Sequence, residues 1–116
     1  MVSTGRKATR GSTTGRPVMA LLDLLGRRWT LRIVWELRNG ALTSRALREA
    51  CDDASPTVLQ TRLAELRRAH LVTHERPLGY QLTALGRDML ASFMPLYGFA
   101  DRWAAHSGEA ATADSR

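Results

Sequence analysis

A chain of 116 residues has room for one compact domain, and 44% hydrophobic with 24% charged residues is ordinary globular usage, which excludes wholesale disorder. The single cysteine, Cys51, excludes an internal disulfide and an all-cysteine metal site, and no apolar run approaches the roughly 18 residues of a membrane helix. Seventeen Lys+Arg against eleven Asp+Glu give a net charge of +6, a balance that favours a polyanionic partner, and with no signal peptide the expected compartment is a reducing cytoplasm.

Taken in chain order, residues 1–16 hold Arg6, Lys7, Arg10 and Arg16, no acid and little that could be buried; they are expected to form a mobile basic tail. Pro17 suits the first turn of a helix, with Val18, Leu21, Leu22 and Leu25 at helical spacing and Gly26 as the stop. A second helix is expected from Trp29 to Arg38, where Thr30, Ile33, Val34 and Leu37 share a face before the Asn39-Gly40 turn. Thr43 or Ser44 caps a third helix, with Leu42, Ala46, Leu47 and Ala50 as its apolar positions. Asp52-Asp53-Ala54-Ser55-Pro56 is a sharp helix start. Ser55 is a good N-cap, Pro56 fits the first helical position, and the two aspartates are expected to favour the helix dipole. The fourth helix runs from there to about Ala69. It buries Leu59, Leu63 and Leu66, and turns Thr57, Thr61, Ala64 and Arg68 outward, with Gln60 on a flank.

Leu71 to His74 and Tyr80 to Leu82 flank a Pro77-Leu78-Gly79 turn and predict a β-hairpin. Thr83 caps a last helix to about Ala105, in which Pro95 predicts a kink near Ala91–Ser92. Residues 107–116 are expected to be a second tail. The fold class is therefore mainly α with a small β-hairpin (α+β): a winged helix-turn-helix domain over residues 17–106, with helix 55–69 entering a major groove.

The last helix carries two apolar stripes, Met89, Phe93, Leu96, Ala100 and Trp103 beside Leu90, Met94, Tyr97 and Ala104. An edge helix needs one stripe. The surplus is expected at a homodimer interface of Met19, Leu22, Met89, Phe93, Met94, Leu96, Tyr97, Ala100 and Trp103; the alternative is that both stripes are internal core.

These blocks resemble the HxlR-type transcriptional regulators, winged-helix relatives of the MarR group. Matching segments are Leu25-Gly26-Arg27-Arg28-Trp29-Thr30-Leu31, the run Ala54 to Leu66, Leu71-Val72, Tyr80-Gln81-Leu82-Thr83-Ala84-Leu85-Gly86, and Pro95 with Trp103 eight residues on. The resemblance covers residues 16–105 and implies a homodimeric, sequence-specific DNA-binding regulator. Departures are Arg16, where many members carry a cysteine, Thr43-Ser44 in place of Arg-Phe, His70 in place of glycine, and a short wing between Val72 and Tyr80.

On that reading the partner is double-stranded DNA with a pseudo-palindromic operator; the expected role is that of a repressor, with an activator as the alternative. Thr57, Gln60 and Thr61 read bases, a glutamine pairing naturally with adenine. Arg27, Arg28, Arg45, Arg62 and Arg76 are the backbone candidates, together with Ser55, for which capping is the competing role. The wing, 74–79, lies at the backbone or minor groove. Cys51 is open to two readings, a packed small hydrophobe or a thiol sensor whose oxidation shifts the reading helix. His70, His74 and His106 have no metal-ligand spacing, so no metal or cofactor is expected, and no nucleophile–base pair points to an enzyme. A small-molecule effector would find room among the aromatic and methionine side chains of the last helices. The rival function is a winged-helix protein-interaction module without specific DNA binding, for which the short wing speaks.

Overall fold

A computed structural model describes residues 15–107. The chain forms α1 (Pro17–Leu25), α2 (Thr30–Glu36), α3 (Ser44–Ala50), α4 (Pro56–Arg68), the strands β1 (Val72–Glu75) and β2 (Gly79–Leu82), and α5 (Ala84–Ser107). The two segments expected to be tails lie almost wholly outside the described residues. Mainly helical with one hairpin, the order is that of a winged helix-turn-helix domain.

The core is where the helical stripes converge. Ile33, Val34 and Leu37 of the α2 segment, Leu47 of α3, Leu59, Leu63 and Leu66 of α4, and Leu71, Val72, Tyr80 and Leu82 from the hairpin are all buried together. Three helix starts have a side-chain cap. Thr43 Oγ1 accepts from the Ala46 N–H at 3.1 Å at the start of α3, and Ser55 Oγ accepts from the Val58 N–H at 3.4 Å ahead of Pro56. Thr83 Oγ1 accepts from the Gly86 N–H at 2.9 Å at the start of α5, and donates to the His70 carbonyl at 2.7 Å.

Three local expectations need correction. Trp29 is not the first residue of α2 but its N-cap, in the left-handed region at φ 76°, and the helix ends at Glu36. Leu42 is not helical. Its N–H donates to the Tyr80 carbonyl at 2.9 Å and its carbonyl accepts from the Tyr80 N–H at 2.8 Å, a one-residue third rung on the hairpin. Gly79 permits this approach, since it sits at φ 111° and any Cβ there would strike the Leu42 carbonyl. Asp52 and Asp53, both at φ 57°, close α3 rather than serve the α4 dipole; the Asp53 N–H reaches back to the Arg48 carbonyl at 2.9 Å. Asp52 instead accepts from Arg32 at 3.3 Å, and Arg32 also donates to Glu36 at 2.8 Å and to the Ala50 carbonyl at 2.6 Å. That one guanidinium ties α2 to the turn ahead of α4, and its hydrogen bond to Glu36 raises its pKa further.

The hairpin pairs Val72 with Leu82, Thr73 with Gln81, His74 with Tyr80 and Glu75 with Gly79, leaving a three-residue tip, Arg76 to Leu78. The helix α5 continues through Pro95, whose ring lacks the N–H that would reach the Ala91 carbonyl. Met89 and Leu90 pack against the core, and farther along the Tyr97 ring stacks on Trp35 with centroids 4.7 Å apart. Arg38 lies over the other part of that stack, 3.9 Å from the Trp35 centroid. Burial between these groups raises the Tyr97 pKa.

One buried group is left wanting. Thr30 is fully buried, and its Oγ1 has no hydrogen-bond partner among the described residues. Thr30→Val removes that orphan at nearly constant shape, so it is expected to stabilise the fold by about 1 kcal/mol in urea titration.

Candidate nucleic-acid interface

The face of α4 opposite its leucine stripe is open. Thr57, Gln60 and Thr61 are all exposed there. The Thr61 hydroxyl donates back to the Thr57 carbonyl at 2.9 Å. Gln60 is held differently. Its Nε2 donates to Ser44 Oγ on α3 at 3.1 Å, and its Oε1 accepts from the Tyr80 hydroxyl on β2 at 3.4 Å. α4, the start of α3 and the strand β2 therefore meet at one side chain.

The expected phosphate contacts divide into two groups. Arg28, Arg45 and Arg76 are exposed; Arg28 lies 5.6 Å from the Trp29 ring centroid, and Arg45 makes a loose 3.6 Å pair with Glu49. Arg27 and Arg62 are instead built into the protein. Arg27 pairs with Asp23 and Glu65, each at 3.0 Å, and Arg62 pairs with Glu65 at 3.0 Å while donating to the Arg28 carbonyl at 2.9 Å. Their side chains are 25% and 21% exposed and that of Glu65 16%, so one carboxylate accepts two guanidinium groups at the seam between α1, α2 and α4. In this structure their work is to fix α4 on the turn after α1. Ser55 is exposed, with its hydroxyl used as the α4 cap.

Cys51 is fully buried in the core, and that burial pushes its thiol up to about 11. Burial outweighs the nearby Arg32 charge, which pulls the other way, and a thiol held protonated and away from solvent is a poor nucleophile, so its surroundings match the packed hydrophobe and lack the exposure of a redox sensor. Among the described residues no group of His, Cys, Asp and Glu is arranged to hold a metal ion.

The expected interface residues are mostly on the surface. Met19, Leu22, Met94, Leu96, Tyr97, Ala100 and Trp103 are exposed, whereas Met89 and Phe93 are half-buried. Both stripes are thus not internal core. Val18, Leu21, Leu31, Leu85 and Phe99 are exposed as well. The cleft at the expected effector position, between Leu31, Phe93, Leu96, Tyr97 and Ala100, holds about 160 Å³. A larger groove of about 630 Å³ lies elsewhere, between α1, α4 and α5, with Leu24, Leu71 and Met89 in its walls and Arg27 and Glu65 at its edge.

Sequence reasoning missed Ser44 and Tyr80 as contacts of Gln60, and Glu65 as the partner of Arg27 and Arg62. Glu65 stood three residues from Arg62 on one helix, a visible pairing signal. The contacts of Gln60 join three elements and have no local signature. Among the described residues no helix is long and apolar enough to cross a membrane.

Comparison with known proteins places this geometry. The model of the HxlR-like helix-turn-helix family matches residues 24–108. Quinone-bound YodB from B. subtilis is similar in structure at a TM-score of 0.69 and 28% identity, over 73% of this chain and 96% of that one. A possible HxlR family transcriptional factor from Thermoplasma volcanium GSS1 aligns at a TM-score of 0.65 and 30% identity, over 72% and 81%. A MarR family transcriptional regulator from Enterococcus faecalis V583 shares the fold at a TM-score of 0.65 and 23% identity, over 84% and 96%. No curated protein sequence matches significantly. The winged helix-turn-helix arrangement, the open face of α4 and the match across most of the chain agree, and the protein belongs to the HxlR-like helix-turn-helix family of DNA-binding transcriptional regulators.

Proposed function

We propose that the protein is a homodimeric repressor that reads a pseudo-palindromic operator, one α4 from each protomer lying in the major groove. The observation that carries this reading is the division of α4 into a buried leucine face and an exposed face of Thr57, Gln60 and Thr61. A helix that leaves small polar groups and an amide unburied near its N-terminus is suited to base edges, where a glutamine matches adenine and a threonine methyl matches thymine. Two such helices are expected about 34 Å apart, one turn of duplex, which sets the half-site spacing. Dimerisation is supported by the apolar side chains that α1 and α5 leave on the surface. Repression asks nothing of the protein beyond occupancy of the operator.

Phosphate contact falls to Arg28, Arg45 and Arg76, with Arg76 at the wing tip. Three cations per protomer give about six phosphates per dimer and a slope of about −5 for log K against log salt. If Arg27 and Arg62 also left Glu65 for the phosphates, the slope would approach about −9. A mobility-shift titration against DNA flanking the protein's own gene, repeated across salt, tests both points. A retarded complex that survives competitor DNA, with the shallower slope, is expected. Equal affinity for flanking and bulk DNA at moderate salt would favour the protein-interaction reading instead.

A further inference from the structure

Gln60 is exposed, yet its amide is already bonded at both ends in the free protein. Long exposed side chains ordinarily sample several rotamers and lose that freedom when they bind. Here the two partners are themselves anchored. Tyr80 is buried, paired through its backbone with Leu42, and its ring stacks on His74 at 4.1 Å with an interplanar angle of 6°. Ser44 follows the Thr43 cap as the first residue of α3. Leu42, two residues before Ser44, is the residue bonded to Tyr80, so one short segment braces both holders of the amide.

We propose that Ser44 and Tyr80 are positioning residues that fix the Gln60 amide as a preset adenine reader, an inference that rests on the DNA-reading role given to α4 above. The chemistry is specific. An amide nitrogen carries two N–H groups and an amide oxygen two lone pairs. Ser44 uses one N–H and Tyr80 one lone pair. One donor and one acceptor remain on the same amide. Adenine offers the complementary pair in the major groove, an N7 acceptor beside an N6 donor, whereas guanine offers two acceptors and leaves the glutamine oxygen facing another oxygen. The clamp moves the ordering of Gln60 into folding, so the discrimination it provides is not diluted at binding.

The test uses the full chain and a duplex selected by it from a randomised pool, with affinities measured for that duplex and for each single base-pair replacement. Gln60→Ala is expected to abolish the adenine preference at one position of each half-site. Ser44→Ala and Tyr80→Phe are expected to lower adenine-over-guanine discrimination at that same position by roughly 3–10-fold, leaving affinity for unrelated DNA unchanged. Ser44→Thr, which keeps the hydroxyl, is expected to restore it. In a Gln60→Ala background neither change should alter discrimination there. Ser44 is exposed and Tyr80→Phe keeps the buried ring, so thermal melts should confirm folded variants. If Gln60→Ala removes the preference but Ser44→Ala and Tyr80→Phe leave it intact, or weaken all sequences equally, the positioning role is overturned while the reading role of α4 stands. If Gln60→Ala changes no base preference, both fall.

Discussion

Leu96→Asp is expected to turn the proposed dimer into monomers and to lower operator affinity by roughly 100-fold or more. Leu96 is 52% exposed on α5, and Trp103, two turns on along the same stripe, is 60% exposed. A carboxylate at Leu96 therefore costs the single protomer almost nothing, and its melt should move by no more than about 0.5 kcal/mol. In the proposed dimer the same carboxylate would be buried in an apolar interface, and an uncompensated buried charge costs several kcal/mol. DNA affinity follows the assembly. Two half-sites joined through a dimer bind with an effective concentration in the millimolar range, and losing that link forfeits a factor of about 10² to 10⁴ without disturbing a single base contact. Sedimentation reads the assembly and mobility shift reads the operator. A variant that sediments as the wild type does would remove α5 from the interface. One that becomes monomeric yet binds the operator unchanged would separate dimerisation from recognition.

How far the sequence reveals this molecule depends on whether its reasons are local. The start of α4 was legible because capping and the proline effect act within four residues, and Ser55, Pro56 and the Leu59, Leu63, Leu66 stripe all stand where that chemistry requires. Leu42 was not, because an isolated leucine before a cap reads equally as helix or strand, and what decides is the Tyr80 backbone across the fold. The same division runs through the site. That Thr57, Gln60 and Thr61 face outward follows from helical periodicity alone. That Arg27 and Arg62 are committed to Glu65, while Arg28, next to one of them, is exposed, depends on how α4 crosses the turn after α1. Composition counts cations, but only tertiary structure says which of them already have a partner.

The last helix offers the sharpest test of that packing, through its glycines. Replacing a helical glycine with alanine ordinarily stabilises a protein by up to about 1 kcal/mol, because alanine loses less backbone freedom on folding. Gly98 fits that rule. It is exposed, and a Cβ there would meet only the end of the Arg102 side chain at 3.7 Å. Gly98→Ala is expected to raise stability by up to about 1 kcal/mol. Gly86→Ala should do the opposite, by about 3 kcal/mol or more. A Cβ on Gly86 would drive into the Leu71 carbonyl oxygen, with the Leu82 Cβ at 3.4 Å closing the other side. That carbonyl cannot swing away freely, since it accepts the Thr83 N–H at 3.0 Å. Nor can the helix slide without breaking its own cap, because the Gly86 N–H donates to Thr83 Oγ1, which in turn donates to the His70 carbonyl. His70 itself is held in the left-handed region at φ 64°, so the junction has little slack to give. The junction joins the end of α4, proposed to read bases, to the start of α5, proposed for dimerisation. Urea denaturation of the two variants should therefore give opposite signs, and the residual folded Gly86→Ala protein should also bind operator more weakly. If Gly86→Ala instead proves neutral, α5 does not rest on Leu71 as described.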